Sequence, residues 1–288
     1  MIMKLTKESQ ELMSFFLKNN CLNQTKQTKQ TDDLLKELFV ELTNGVSYVK
    51  NKLSNNEYTL TIERIKNTSQ IPKPSTFSPN SFPNEIRNHI DKFSLNLLKY
   101  SIDIFDRKIN IIFLTEDAVN NKLTTIYNNY FENMLVWLYI VNSHSSKKCS
   151  LTLNIYIYHT TLIKILPTTN INILNQNNVN TAFTRTCPRD SEIVIFRKEE
   201  WFKCFIHETF HNFALDFSDM DMTECNKKIL GIFKVKSELN LFESYTEFWA
   251  RIMNTLFCSY FNMTDKTNVK EFLTNSMIFI NFEKIFAF

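Results

Sequence analysis

The sequence predicts an α+β fold: a small mixed sheet, one central helix and a helical C-terminal part. Three observations carry this. Strand-like apolar runs fall upstream of residue 197, long stretches at helical spacing separate and follow them, and at residues 192–213 one such run feeds straight into a segment whose last seventeen residues hold neither Gly nor Pro.

From the start of the chain, residues 1–80 read as a mostly helical extension containing a polar linker. Met1-Ile2-Met3-Lys4-Leu5 runs directly into a polar, helical segment without the pattern of a targeting signal, so an intracellular location is expected. Gln24 to Thr31 is a repeat-like polar linker. A helix near Asp33 to Leu42, a strand near Tyr58 to Ile65 and a Pro/Ser-rich loop from Ile71 to Pro83 follow.

Residues 81–288 read as a second, larger domain. It opens with a helix from about Pro83 to Tyr100, a strand from Ile109 to Leu114, a long helix from Asp117 to Val141 and a strand from Leu151 to Tyr158. A strand at Val179 to Thr184 precedes the β-branched run Glu192 to Phe196, which leads into a helix ending near Phe213. Trp201, Phe202, Phe205, Ile206, Phe210 and Phe213 spread over more than one face of that helix, as expected of one covered on most sides. Leu241 to Ala250 is again helical.

The central helix carries His207-Glu208-Thr209-Phe210-His211. Imidazoles at i and i+4 lie one above the other and can reach a single cation, while Glu208, one step round, points at the water beside it. This is the pattern of a zinc site with His207 and His211 as ligands and Glu208 as general base. A third protein ligand must come from elsewhere. Glu243 and Glu247 share one face of the downstream helix, so Glu243 is the expected ligand and Glu247 the acid that takes the free N–H of a ligating imidazole. With Glu247 as ligand the supporting position would hold Arg251, and with Glu238 it would hold Phe242; neither accepts a hydrogen bond. Asp216 would need a bulged helix end to serve. Phe242, Tyr245, Phe248 and Trp249 leave the acidic pair little solvent-facing surface, and buried unpaired carboxylates are costly unless a cation compensates them.

A HExxH helix followed by a Glu-x-x-x-acid helix resembles the gluzincin, or thermolysin-like, branch of the zinc metallopeptidases over about residues 105 to 260. The wording at Asn180 to Thr184 and Arg197 to Lys203 also resembles metallopeptidases encoded by large nucleocytoplasmic DNA viruses. The resemblance implies a zincin-like catalytic domain, a Zn2+ cofactor, a peptide or protein substrate, and a cytoplasmic or virion setting. It also implies that the substrate pairs with an exposed sheet edge above the metal, for which Asn180 to Arg185 is the candidate. The zincin branch that takes its third ligand six residues past the second His, after a Gly, is disfavoured, since those places hold Phe217 and Ala214. Two departures stand out. Phe242 replaces the Asn that often precedes the ligand Glu, and no His follows His211 to steady a transition state; Tyr245 and Tyr260 are badly placed for that task. Two rival readings stay open: a non-catalytic zincin-like binding or virion structural module, and a helical interaction protein without metal.

Composition narrows the alternatives. Two Gly among 288 residues argue against a phosphate loop or dinucleotide fingerprint, and a net charge of +3 with interspersed signs gives no basic stripe for nucleic acid. No run of eighteen apolar residues occurs, so no membrane span is expected. Cys21, Cys149, Cys187, Cys204, Cys225 and Cys258 show no CxxC pair and read as free thiols in a reducing compartment. Cys204, one turn before His207, faces the metal side without being needed as a ligand, and nothing around Cys21 suggests a latency plug. His89, His144 and His159 are isolated and read as surface or core residues.

Overall fold

A computed structural model describes residues 5–22, 27–77, 81–169, 171, 176–236 and 239–287. Glu238, the first four residues and parts of the polar linker and of the Pro/Ser-rich loop lie outside these. The architecture is mixed α and β, built on a six-stranded sheet among the described residues.

The chain begins with α1 (Lys7–Lys18) and α2 (Lys29–Ser54), each capped by a threonine, Thr6 and Thr28, whose hydroxyl accepts an N–H of the first turn. β1 (Tyr58–Arg64) follows, then α3 (Asn84–Phe93) and the hairpin β2 (Asn96–Ile104) and β3 (Arg107–Thr115). Phe105 and Asp106 both take the left-handed backbone that a two-residue hairpin requires. α4 (Asn121–His144) crosses over to β4 (Thr152–His159). After the short α5 (Gln176–Val179) come β5 (Ala182–Phe183), β6 (Asp190–Ile195) and α6 (Trp201–Asn212). α7 (Thr223–Ile232), α8 (Leu241–Asn262) and α9 (Val269–Ala287) complete the fold.

The strand order is β1-β2-β3-β4-β6-β5. β3, β4 and β6 run parallel, and the remaining pairs are antiparallel. Strand alternation divides the core in two. Ile109, Ile111 and Phe113 of β3 and Ile193 and Ile195 of β6 point into the main core with α2, α4, α6 and α8. Ile112, Leu114, Val194 and the adjoining Phe196 face a smaller core under α3 and the loop containing Ile71 and Phe82.

The structure corrects several expectations. The helix expected to run from Pro83 to Tyr100 stops at Phe93, and β2 takes over, because Leu98, Tyr100, Ile102 and Ile104 alternate with a period of two. The expected strand at Val179 to Thr184 shrinks to Ala182–Phe183. The cysteines are not all free: Cys149 and Cys187, 38 residues apart, form a disulfide. They sit just before β4 and β6, so strand pairing rather than sequence spacing brings them together. The boundary expected near residue 80 is crossed by the sheet, since β1 pairs with β2, and Leu35, Phe39, Leu42, Val46 and Val49 of α2 lie in the main core.

Candidate metal centre

The helix α6 stands on the sheet because β6 delivers it there. From Arg197 to Glu200 the chain leaves the strand, Glu200 adopts a left-handed conformation (φ 55°), and the helix starts at Trp201. Trp201, Phe202, Phe205 and Ile206 are buried on one side, and the Trp137 indole of α4 donates to the Thr209 hydroxyl at 2.6 Å, which fixes the helix in rotation. Its far end is closed by Ala214, also left-handed (φ 53°), and by the Leu215 amide donating to the Phe210 carbonyl at 2.8 Å. α8 packs against α6 through Ala250, Met253 and Phe257, and this contact carries Glu243 and Glu247 over the two histidines.

Three side chains then converge. The Nε2 atoms of His207 and His211 lie 3.2 Å apart, and one Glu243 oxygen is 3.3 Å from the first and 3.4 Å from the second. His207, His211 and Glu243 are a group that could hold a metal ion, each offering one donor atom, all within 4.8 Å of one another. Each imidazole uses its other nitrogen on a separate carboxylate: His207 Nδ1 on Glu247 at 3.2 Å, and His211 Nδ1 on Asp216 at 2.5 Å. Both rings are thereby oriented with Nε2 towards the shared gap. The structure thus brings Glu243 beside the two Nε2 atoms and Glu247 behind His207. Asp216 differs: it lies behind His211 and is not a donor in the group. Its other oxygen accepts from the Ser218 hydroxyl at 2.8 Å, and its side chain is 1% exposed.

Sequence reasoning missed three members of this arrangement. Asp216 supports His211 as Glu247 supports His207; the cue was an acid just past the helix end, brought back by the left-handed turn at Ala214. Lys203 donates to Glu247 at 2.9 Å, and Arg251 does so through Nε at 2.8 Å while bonding Glu283 with a second nitrogen. Their cues were helical spacing, four residues before His207 and four after Glu247.

Electrostatics follow from this geometry. Burial lowers the proton affinity of His207, but its bonds to Glu243 and Glu247 outweigh that and push its pKa up to about 9. His211 is raised in the same way, burial being outweighed by Glu243 and Asp216. The bonds from both imidazoles hold Glu243 down at about 2. Glu247 is also held at about 2, its burial outweighed by His207 and Lys203. Protons and a cation therefore compete for the same two nitrogens. Glu208 is 8% exposed, and burial raises it to about 7 against the pull of the neighbouring imidazoles.

The centre opens into a cleft of about 550 Å³. Its walls include His207, Glu208 and Glu243 on one side and Asn180, Thr181 and Ala182 on the other. β5 ends the sheet among the described residues, so the cleft is bordered by an edge strand, within the segment Asn180 to Arg185. Cys204 lines the cleft with a thiol that burial pushes up to about 11. The remaining candidates lie elsewhere. His89 pairs with Glu116 and His144 with Glu41, His159 packs among aromatic rings, and Cys21 is exposed at the end of α1. Tyr245 packs edge-on against Phe210 and tilted against Phe217, and Tyr260 is buried against Phe39. No helix among the described residues is long and apolar enough to cross a membrane.

Compared with family models, curated proteins and solved structures, the chain matches none.

Proposed function

We propose that the protein is a zinc-dependent peptidase of the gluzincin kind, with His207, His211 and Glu243 as metal ligands and Glu208 as general base. The observation that carries this reading is the meeting of two imidazole Nε2 atoms and one carboxylate oxygen beside a buried glutamate, at the floor of a cleft. The donor set suits zinc: two nitrogens and one oxygen, each imidazole held by its own carboxylate, with a fourth position left for water or substrate. Bound there, zinc supplies a Lewis acid that brings the pKa of a water from about 15.7 towards about 7 and polarises the scissile carbonyl.

The chain's own residues do the rest. Glu208 takes the proton of the attacking water on its carboxylate and passes it to the leaving amine nitrogen. Its proton affinity, raised to about 7 by burial, suits a group that must accept and release a proton near neutrality. An extended substrate would add as a further strand along the edge of β5 that no described strand pairs, which borders the cleft. Glu247 and Asp216 accept from the Nδ1–H of each imidazole and so turn both Nε2 atoms towards the cation's place.

A quenched-fluorescence peptide library, read with and without chelator, tests the proposal. Cleavage should depend on metal and fall by at least about 10²-fold in Glu208→Gln, with zinc content unchanged. Undiminished cleavage by Glu208→Gln would overturn the mechanism. Zinc binding without cleavage of any peptide would favour a binding module instead.

A further inference from the structure

The Cys149–Cys187 disulfide lies directly behind the metal centre. Cys187 donates its backbone N–H to the carbonyl of His211 at 3.4 Å. Next to Cys149, the Ser150 hydroxyl donates to the Asn212 side-chain oxygen at 2.5 Å. Asn212, wholly buried, passes the contact on: its side-chain nitrogen donates to the Thr184 hydroxyl at 2.9 Å and to Ser191. The crosslink thus grips the last turn of α6, which bears His211, and the segment running from β5 into β6, which borders the cleft.

The backbone on both sides is held in an unfavourable shape. Cys187 itself (φ 47°) and Ser150 (φ 56°) are non-glycine residues in the left-handed region, which persists only where the surroundings over-determine it. The Ser150 amide donates to the Pro188 carbonyl at 2.7 Å, so the two strained turns also brace each other. The two cysteines differ in exposure. Cys149 is fully buried, whereas Cys187 is partly exposed between the exposed Arg185, Thr186 and Arg189.

We propose that this disulfide is a redox modification site that sets the order of the metal centre. A dithiol reductant attacks the sulfur of Cys187, the more exposed of the two residues, as a thiolate, the S–S bond breaks, and Cys149 departs as a thiolate and takes up a proton. The second thiol of the reductant then attacks the mixed disulfide and releases Cys187 as a thiol. The reductant leaves as a disulfide and two electrons have reached the protein. With the crosslink open, the turns at Ser150 and Cys187 relax, the hydrogen bond to the His211 carbonyl is lost, and the His211 end of α6 loosens. The inference rests on the metal-centre reading for its zinc readout and stands apart from it for the others.

The test compares the oxidised full chain, the same protein after reduction, and Cys149→Ala/Cys187→Ala with and without reductant. Non-reducing peptide mapping should find Cys149 joined to Cys187; free thiols at both positions in air-purified protein would overturn the proposal. Amide hydrogen exchange across residues 204–213, without added metal, should quicken at least about tenfold on reduction and be equally fast in the double variant, where reductant has no further effect. Equal protection in oxidised and reduced protein would overturn it, as would a double variant that still responds to reductant. Zn2+ affinity, measured by competition with a chromophoric chelator, should fall about tenfold or more alongside. Failure of both redox forms to bind Zn2+ would speak against the metal centre, and exchange would then decide the clamp alone. Should the double variant not fold, exchange in the oxidised and reduced wild-type protein, with thiol occupancy followed by mass spectrometry, decides the matter by the same two outcomes.

Discussion

Glu247 shows at the scale of one side chain how this centre is stabilised. A carboxylate 31% exposed serves three partners, His207, Lys203 and Arg251, so its charge is compensated before any metal arrives. Asp216 does the same for His211 with a shorter bond and deeper burial. Removing either should therefore weaken metal binding without removing a ligand. Asp216→Asn is expected to lower Zn2+ affinity by about 10- to 100-fold, which chelator competition would measure; if the proposed peptidase reading holds, peptide cleavage at saturating zinc should change little. Retention of wild-type affinity would show that Asp216 does not orient His211. His159 gives a pH prediction. Burial lowers its pKa from 6.5 to about 3, so between those values the unfolded chain holds a proton that the folded chain refuses. Stability should fall as pH drops from about 6.5 towards 3 and show no contribution from His159 above that range. The melting temperature of His159→Gln should lose part of this acid dependence, and parallel pH curves for the two proteins would refute the assignment.

Among the elements, the loop at Ser75 and Thr76 hangs on one buried acid. Glu192 of β6 accepts from both backbone amides, at 2.9 and 2.8 Å, and from both hydroxyls. Glu192→Gln keeps the shape but turns one acceptor into a donor facing two donors. A loss of about 2 kcal/mol by denaturant titration is expected, with faster exchange at residues 75–77; an unchanged midpoint would contradict it. Elements also differ in how far the sequence reveals them. α6 was legible because seventeen residues without Gly or Pro follow a β-branched run, and the i, i+4 spacing of His207 with His211 and of Glu243 with Glu247 is a property of helices alone. β2 was not, since Leu97 and Leu98 continue the apolar face begun by Ile86 and Ile90 and mask the change of period after Phe93. Nor was the disulfide, because the register of β4 against β6 is a tertiary fact. Asp216 and Lys203 had spacing cues but no visible partners: that Lys203 meets Glu247 depends on how α6 packs on α8, and that Asp216 meets His211 on the turn at Ala214.

Across the whole molecule, the main core draws on residues from Leu35 of α2 to Phe272 of α9. α2 lies against α4, where Gly45 permits a close approach: a Cβ there would sit 3.2 Å from the Tyr139 ring and 3.3 Å from Val136. Leu42, fully buried in this core, should cost about 2 to 5 kcal/mol when replaced by Ala, and unfolding should remain a single transition followed equally by tryptophan fluorescence and circular dichroism. Two separated transitions would show that α2 belongs to an independent unit. The fold's central consequence is the meeting of α6 with α8, whose glutamates lie more than thirty residues further along the chain than the histidines. The most direct test is zinc K-edge X-ray absorption on the full chain loaded with one equivalent of Zn2+. The expected result is one tightly held ion with two imidazole nitrogens and oxygen donors at about 2.0–2.2 Å, and loss of that signal in His207→Ala/His211→Ala. Sulfur in the coordination sphere, or an unchanged spectrum in the double variant, would contradict the assignment of His207, His211 and Glu243 as the metal's ligands.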